Sequence, residues 1–210
     1  MKNRDEIIGR TICWCARAVA GVSARWVNCE PSAAQRIYYA NHSSHLDILV
    51  LWSSLPADVR RMTRPVAAGD YWLKNRVKRY LVNQVFNAII VQRPSKGGHL
   101  RDALKAIKNT IDGMGDKYSL IIFPEGTRGD GEEMASFKGG IYSIAKAKPG
   151  IELVPVFMEN LNRILPKGEQ IPVPLISSIS FGPPVRLEEG EHKRDFLKRA
   201  RQAIIDLQEI

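Results

Sequence analysis

His42 and Asp47 stand five positions apart in Asn41-His42-Ser43-Ser44-His45-Leu46-Asp47, directly after an apolar run. An imidazole beside a carboxylate can take a proton from a hydroxyl, with the carboxylate holding one ring nitrogen and leaving the other free. Farther along, Phe123-Pro124-Glu125-Gly126-Thr127-Arg128 is rich in turn residues and ends in a guanidinium. Gly126 lets backbone approach a ligand closely, and Arg128 can grip a phosphate with two parallel bonds. Lys138 could add a second cation, and Gly139 and Gly140 would leave the next helix's N-terminus open to an anion. A base in one loop and an anion-binding turn in another point to transfer chemistry on a phosphate-bearing substrate.

The spacing sets a condition on the pair. Inside a helix, positions five apart lie roughly 140° from each other at about 100° per residue. His42 must therefore precede the helix, in the turn leaving a strand, with Asp47 in the first turn. A second reading fits the same residues. Ser44-His45-Leu46-Asp47 is a capping pattern, in which Asp47 satisfies backbone donors and His42 is an ordinary loop residue. A third takes His42, His45 and Asp47 as metal ligands, although His99 and His192 are isolated and no other cluster supports it. Arg128, likewise, could pair with Glu125 or Asp130 across a plain surface turn.

The elements that must position these residues alternate in type. Gln35–Ala40 reads as a strand, Ser44–Leu55 as a helix stopped by Pro56, and Pro65–Ala68 as a short strand. Asp70 is a candidate N-cap for a helix through Trp72, Val77, Leu81 and Val85. Asn87–Gln92 is strand-like, Pro94–Gly98 a loop, and Leu100–Met114 a helix with Leu104, Ile107 and Ile111 on one face. Tyr118–Phe123 is a continuous apolar strand, expected to be buried on both faces. A helix at Ile141–Ala147, strands at Glu152–Phe157 and Ile176–Phe181, and a closing helix at Glu191–Ile210 follow. This order predicts a single α/β domain over residues 35–210, with a mainly parallel, mixed sheet flanked by helices. Loops at the strand C-termini of such sheets are where ligands bind.

Composition narrows the partners. The chain has 210 residues, enough for one domain with a real core, and its 44% hydrophobic and 25% charged content exclude a disordered chain. A net charge of +9 favours anionic partners: a phospholipid surface, nucleic acid, or acidic substrates. Cys13, Cys15 and Cys29 are odd in number and form no CxxC pair, so they read as reduced thiols in a cytosolic setting. No run of eighteen apolar residues predicts a spanning helix, and arginines interrupt the N-terminus too often for a signal peptide. Arg10, Arg17 and Arg25 fall within about 80° of one another on a helix, opposite Ile8, Ile12, Cys15, Val19, Val22 and Trp26. Residues 1–28 thus read as one amphipathic helix, either a membrane-docking segment or a core-facing helix.

Taken together, the segments resemble the glycerolipid acyltransferase family, specifically its 1-acylglycerol-3-phosphate acyltransferases. Four family-like blocks occur in order: Asn41-His42 with Asp47 in an NHxxxxD pattern, Phe86–Arg93, FPEGTR at 123–128, and Leu153-Val154-Pro155-Val156. They cover roughly residues 35 to 160. The resemblance implies that His42 removes the proton of an acceptor hydroxyl while Asp47 holds the imidazole. It assigns Glu125, Gly126 and Arg128 to the block that binds the acceptor's glycerol phosphate and Arg93 to a second substrate-binding position; Thr127, inside that block, and the second cation Lys138 complete the candidate substrate-binding residues. It implies a lysophospholipid acceptor, acyl-CoA or acyl-acyl-carrier-protein as co-substrate, and no cofactor, metal or nucleic acid. Gly129 stands where the family often has serine, and Gly139 follows Lys138 where it often has a second lysine. With only an amphipathic N-terminal stretch, the expectation is peripheral attachment to an anionic membrane surface, at the cytoplasmic face of a bacterial inner (plasma) membrane.

One measurement separates the acid–base reading from the metal reading. Activity that requires an acyl thioester and is unchanged by a chelator is expected; chelator-sensitive loss of a lipid hydrolase activity would favour the metal site.

Overall fold

Residues Ile37 to Ala40 are wholly buried, and they alternate between two apolar clusters. Ile37 and Tyr39 join one; Tyr38 and Ala40 join the other. Such a segment belongs inside a sheet covered on both faces. In the computed structural model, which describes residues 3–92, 100–129, 131, 133–164, 173 and 175–209, this segment is β2 (Arg36–Ala40) at the centre of a seven-stranded sheet. The order is β1 (Ser23–Trp26), β7 (Ser178–Phe181), β6 (Glu152–Glu159), β2, β5 (Ser119–Ile122), β3 (Thr63–Ala68), β4 (Ile89–Val91). β6, β2, β5, β3 and β4 run parallel, β7 pairs antiparallel to β6, and β1 follows β7. The mainly parallel, mixed α/β sheet read from the sequence is the sheet observed.

Helices cover both faces. α1 (Asn3–Ala20), α2 (Asp47–Ser54) and α4 (Gly69–Trp72) lie with the Tyr38 cluster, through Cys13, Leu51 and Trp72. α6 (Leu100–Met114), α7 (Gly140–Ala147) and α9 (Lys193–Ile205) lie with the Ile37 cluster, through Met114, Ile144 and Phe196. The register sets the active edge. Tyr39 pairs with Ile122, so the chain leaves β2 and β5 at the same level and in the same direction. Parallel pairing thereby brings the loops after Ala40 and after Ile122 together, although they are distant in sequence.

Three expectations change. First, the N-terminal helix ends at Ala20, turns at Gly21 (φ +48°), and gives way to a strand instead of continuing to residue 28. Arg25 and Trp26 are therefore off the helix. Arg25 donates to Ser180 Oγ at 2.7 Å, and Trp26 stacks on Phe181 with ring centroids 4.0 Å apart. Pairing with β7 outweighs a helical pattern that the short run Ser23–Trp26 could only mimic. Ser23–Trp26 thus belongs to the sheet. Cys13 is buried, and Arg17 reaches inward to the Ser53 carbonyl, so the proposed arginine row is divided. Ile7, Arg10 and Trp14 remain exposed.

Second, the helix expected from Asp70 to Val85 is broken. α4 closes at Trp72, and α5 (Arg76–Tyr80) restarts from Asn75, whose backbone is extended and whose side-chain Oδ1 accepts the Lys78 N–H at 2.8 Å. Asp70 lies within α4's first turn, and a π-turn over Leu81–Val85 follows α5. Third, the last strand starts at Ser178, and the closing helix spans Lys193–Ile205. The other short helices are α3 (Ala57–Arg61) and α8 (Leu161–Ile164). No helix among the described residues is long and apolar enough to cross a membrane.

Trp26 distinguishes the strand from the extended helix. Trp26→Ala is expected to lower the unfolding free energy by about 2 kcal/mol in a urea titration, because the Phe181 stack is lost. A change near zero would fit a Trp26 lying on an unpartnered helix face.

Candidate active site

The chain leaves β2 through Asn41, whose carboxamide imitates one more ladder residue. Its Nδ2 donates to the Met158 carbonyl at 2.9 Å, and its Oδ1 accepts the Met158 N–H at 2.8 Å. The exit of β2 is thereby tied to β6. His42 comes next, and both of its backbone groups are held by the turn after β5. Its N–H donates to Glu125 Oε1 at 2.7 Å, and its carbonyl accepts the Gly129 N–H at 2.8 Å.

The ring is held as firmly as the backbone. His42 Nδ1 lies 2.7 Å from Asp47 Oδ2. The same oxygen accepts the N–H groups of Ser43 at 2.7 Å and Ser44 at 2.9 Å. Asp47 opens α2, so the pair meets as the spacing required: the histidine before the helix and the carboxylate in its first turn. Asp47 satisfies backbone donors as well as holding the ring, but those donors lie in the turn before α2, whose N-cap, Leu46, has no side-chain cap bond. Phe123 stacks on the imidazole with ring centroids 4.3 Å apart. The Asp47 side chain is fully buried and that of His42 is 14% exposed, so the ring is the member that can meet a solute. With Nδ1–H donated to Asp47, Nε2 carries the lone pair that can accept a proton.

Glu125, assigned to substrate by resemblance, has both oxygens on the main chain. Oε1 takes the His42 N–H, and Oε2 takes the Ala135 N–H at 3.0 Å. It is buried, and burial pushes its carboxyl above the ordinary glutamate value, while those two N–H bonds pull it back. Its position makes it a brace between the His42 turn and the 123–137 loop. Arg128 therefore does not find its partner in this carboxylate.

Gly126, Thr127, Arg128 and Lys138 line a cleft of about 500 Å³ that also includes His42. Gly126 adopts φ +73°, and a Cβ there would come within 2.7 Å of Lys138 Nζ. Glycine is needed both for the turn and for the lysine lying across it. The Lys138 N–H donates to the Pro124 carbonyl at 2.8 Å, which closes the loop. The cleft floor is apolar, with Ile48, Trp72, Ile122 and Phe123. Arg93 lies outside the described residues.

His45 also lines this cleft but is engaged with another ring. Its ring stacks on Tyr71 at 4.2 Å, and Lys78 Nζ sits 3.6 Å from the Tyr71 centroid. Among the described residues, no three His, Cys, Asp or Glu side chains are gathered to hold a metal ion. Sequence reasoning assigned no role to the Asn41 carboxamide or to Phe123. Asn41 had a signal, an amide directly after a strand; Phe123 reads only as the end of an apolar run.

The chain matches the family model described as Acyltransferase over residues 28–159. It is 28% identical over 148 residues to a 1-acyl-sn-glycerol-3-phosphate acyltransferase of Chlamydomonas reinhardtii, covering 68% of this chain and 40% of that protein. It is 29% identical over 164 residues to a 1-acyl-sn-glycerol-3-phosphate acyltransferase of Helicobacter pylori, covering 78% of this chain and 64% of that one. The chain thus spans less than two thirds of either relative. The fold matches the crystal structure of a 1-acyl-sn-glycerophosphate acyltransferase from Thermotoga maritima, with a TM-score of 0.76 and 20% identity, covering 100% of this chain and 83% of that one.

The brace is testable without any substrate. Glu125→Ala leaves two main-chain donors without their acceptor and is expected to cost about 2 kcal/mol of unfolding free energy in urea at neutral pH. A cost near zero would mean that the carboxylate does not hold the turn. The pH dependence has a definite sign. Because the folded pKa is raised, the Glu125 contribution is fully present below the ordinary glutamate range and falls as pH rises through the raised value. Glu125→Gln is expected to lack that component.

Proposed function

The chain belongs to the Acyltransferase family, and on that premise we propose that it moves a fatty acyl group from an acyl thioester to the free hydroxyl of 1-acylglycerol-3-phosphate, forming phosphatidic acid. The observation that carries this reading is one cleft that holds both a carboxylate-oriented imidazole and two cations. His42 Nδ1 sits 2.7 Å from Asp47, and Arg128 and Lys138 line the same cleft as the ring. A hydroxyl is a poor nucleophile at neutral pH and needs a base; a phosphate needs cations to place it. The names of the relatives agree with an acceptor of this kind.

The steps follow from that geometry. The acceptor's phosphate lies on Arg128 and Lys138, and its hydroxyl faces His42 Nε2. Nε2 takes the hydroxyl proton as the oxygen attacks the thioester carbonyl carbon. The new C–O bond forms, the C–S bond breaks, and the departing thiolate takes the proton from the imidazolium. Asp47 stabilises the imidazolium through Nδ1. The donor is acyl-CoA or acyl-acyl-carrier-protein, and the chain's own residues supply the acid–base chemistry without a cofactor or metal.

Attachment to the cytoplasmic face of an anionic bacterial membrane completes the reading. The net charge of +9 and the exposed Ile7, Arg10 and Trp14 of α1 support peripheral docking. Transfer of labelled acyl groups to a panel of lysolipids tests the proposal. His42→Ala is expected to lower turnover by about 10²–10⁴-fold. Arg128→Ala is expected to raise the KM for the lysophosphatidic acceptor by roughly tenfold or more, the worth of one charge-assisted contact. Near-normal turnover by His42→Ala would contradict the mechanism, and transfer to no lysolipid would contradict the reading as a whole.

A further inference from the structure

We infer that the phosphopantetheine arm of the acyl donor enters through a second cleft, on the β6 side of His42, separate from the cleft that takes the acceptor. The inference rests on the acyltransferase reading above and concerns where its second substrate sits. Direct transfer with no acyl-enzyme requires donor and acceptor to meet at His42 together. His42 is in the wall of two clefts. One, described above, lies over β5, β3 and β4; the other, of about 430 Å³, lies toward the end of β6, with α8 and the C-terminal turn after α9. In the sheet, β5 and β6 flank β2 on opposite sides, so the clefts meet His42 from the two sides of β2.

Charge sorts the substrates between them. The first cleft presents Lys74, Arg128 and Lys138 against Asp70, which suits a dianionic phosphate. The second presents Glu133 and Glu159 against Arg163 and Arg201, while Glu125 beside them is turned to its main-chain donors. Arg201 is already committed to the Met134 carbonyl, through Nη2 at 2.6 Å and Nε at 3.2 Å. A phosphate monoester close to the base is disfavoured there. The donor's arm has the opposite character: a thin chain with two amides and a hydroxyl, uncharged until its distal phosphate. Asn160 and Gln208 offer amide partners, and Phe157 and Met158 offer apolar walls near the thioester end. Arg163, exposed on α8, is the cation left for the distal phosphate. The volume falls in the ordinary range for small-molecule clefts, about 300–1,000 Å³. Coenzyme A and acyl carrier protein carry the same arm, so one cleft serves either donor.

The test uses the full chain with saturating second substrate, and measures KM separately for donor and acceptor. Gln208→Trp fills the second cleft from an exposed position, and Arg163→Glu reverses its outer charge. Thermal unfolding checks that each variant is folded, and either variant suffices if the other is not. Both are expected to raise the donor KM about fivefold or more while leaving the acceptor KM within about twofold; Thr127→Trp in the first cleft is expected to do the reverse. Gln208→Trp is expected to act alike on acyl-CoA and on acyl-acyl-carrier-protein. A rise for acyl-CoA alone would assign the contact to its nucleotide end and overturn the arm assignment. A rise in acceptor KM would exchange the clefts, and unchanged KM values for both substrates would remove the second cleft from the reaction. In each of these failures the wild type still transfers acyl groups. Absence of transfer by the wild type would instead overturn the functional reading and this assignment with it.

Discussion

A single carboxylate oxygen, Asp47 Oδ2, accepts from three donors: the His42 ring and the backbone N–H groups of Ser43 and Ser44. The rest of the site depends on this convergence. The two backbone bonds fix where the oxygen lies, because they bind the turn to the first residue of α2. The third bond then fixes the ring. Remove the carboxylate and the turn, the helix start and the imidazole lose their common anchor together. The donors of the two backbone bonds lie in the turn before α2, so the carboxylate that closes this turn is held in place to orient the imidazole.

Around that point, the parallel sheet supplies position and Glu125 supplies continuity. β2 and β5 deliver their loops to one edge because Tyr39 and Ile122 are in register. Glu125 then joins the loops, with one oxygen on His42 and the other on Ala135. An ionised carboxyl is costly to bury, and here both oxygens are occupied by main-chain donors. The cations are placed by different means. Gly126 permits Lys138 to lie over the turn, and Arg128 follows on the same loop. His42 and the cations Arg128 and Lys138 are thus parts of one braced unit, an arrangement that suits the proposed transfer to a phosphate-bearing alcohol.

Much of this was legible in the sequence, for identifiable reasons. Tyr118–Phe123 reads as a buried strand because its apolar run is unbroken, and Leu100–Met114 reads as a helix because its apolar positions recur every three or four residues; both elements are observed, with the strand trimmed to Ser119–Ile122. Spacing alone required His42 to precede the helix. Other features depend on long-range partners that no local pattern shows. Ser23–Trp26 became a strand because Phe181 and Ser180 receive it, more than 150 residues away. Asn75 restarted a helix that the apolar pattern alone would have carried through from Asp70. Glu125 is assigned to substrate by resemblance alone, and no local pattern shows that its oxygens take two backbone N–H groups from other segments. Composition cannot reveal a carboxylate turned inward.

The central claim concerns one proton. If Asp47 holds Nδ1–H, neutral His42 exists as the Nδ1–H tautomer with Nε2 unprotonated. Long-range ¹H–¹⁵N NMR spectra of the ¹⁵N-histidine-labelled chain, taken above the pH at which the imidazolium loses its proton, report this directly. The account predicts a His42 spectrum with a protonated Nδ1 and a lone pair on Nε2, lost or mixed in Asp47→Asn. A wild-type His42 in the Nε2–H tautomer, the common form of a histidine without such a partner, would contradict it.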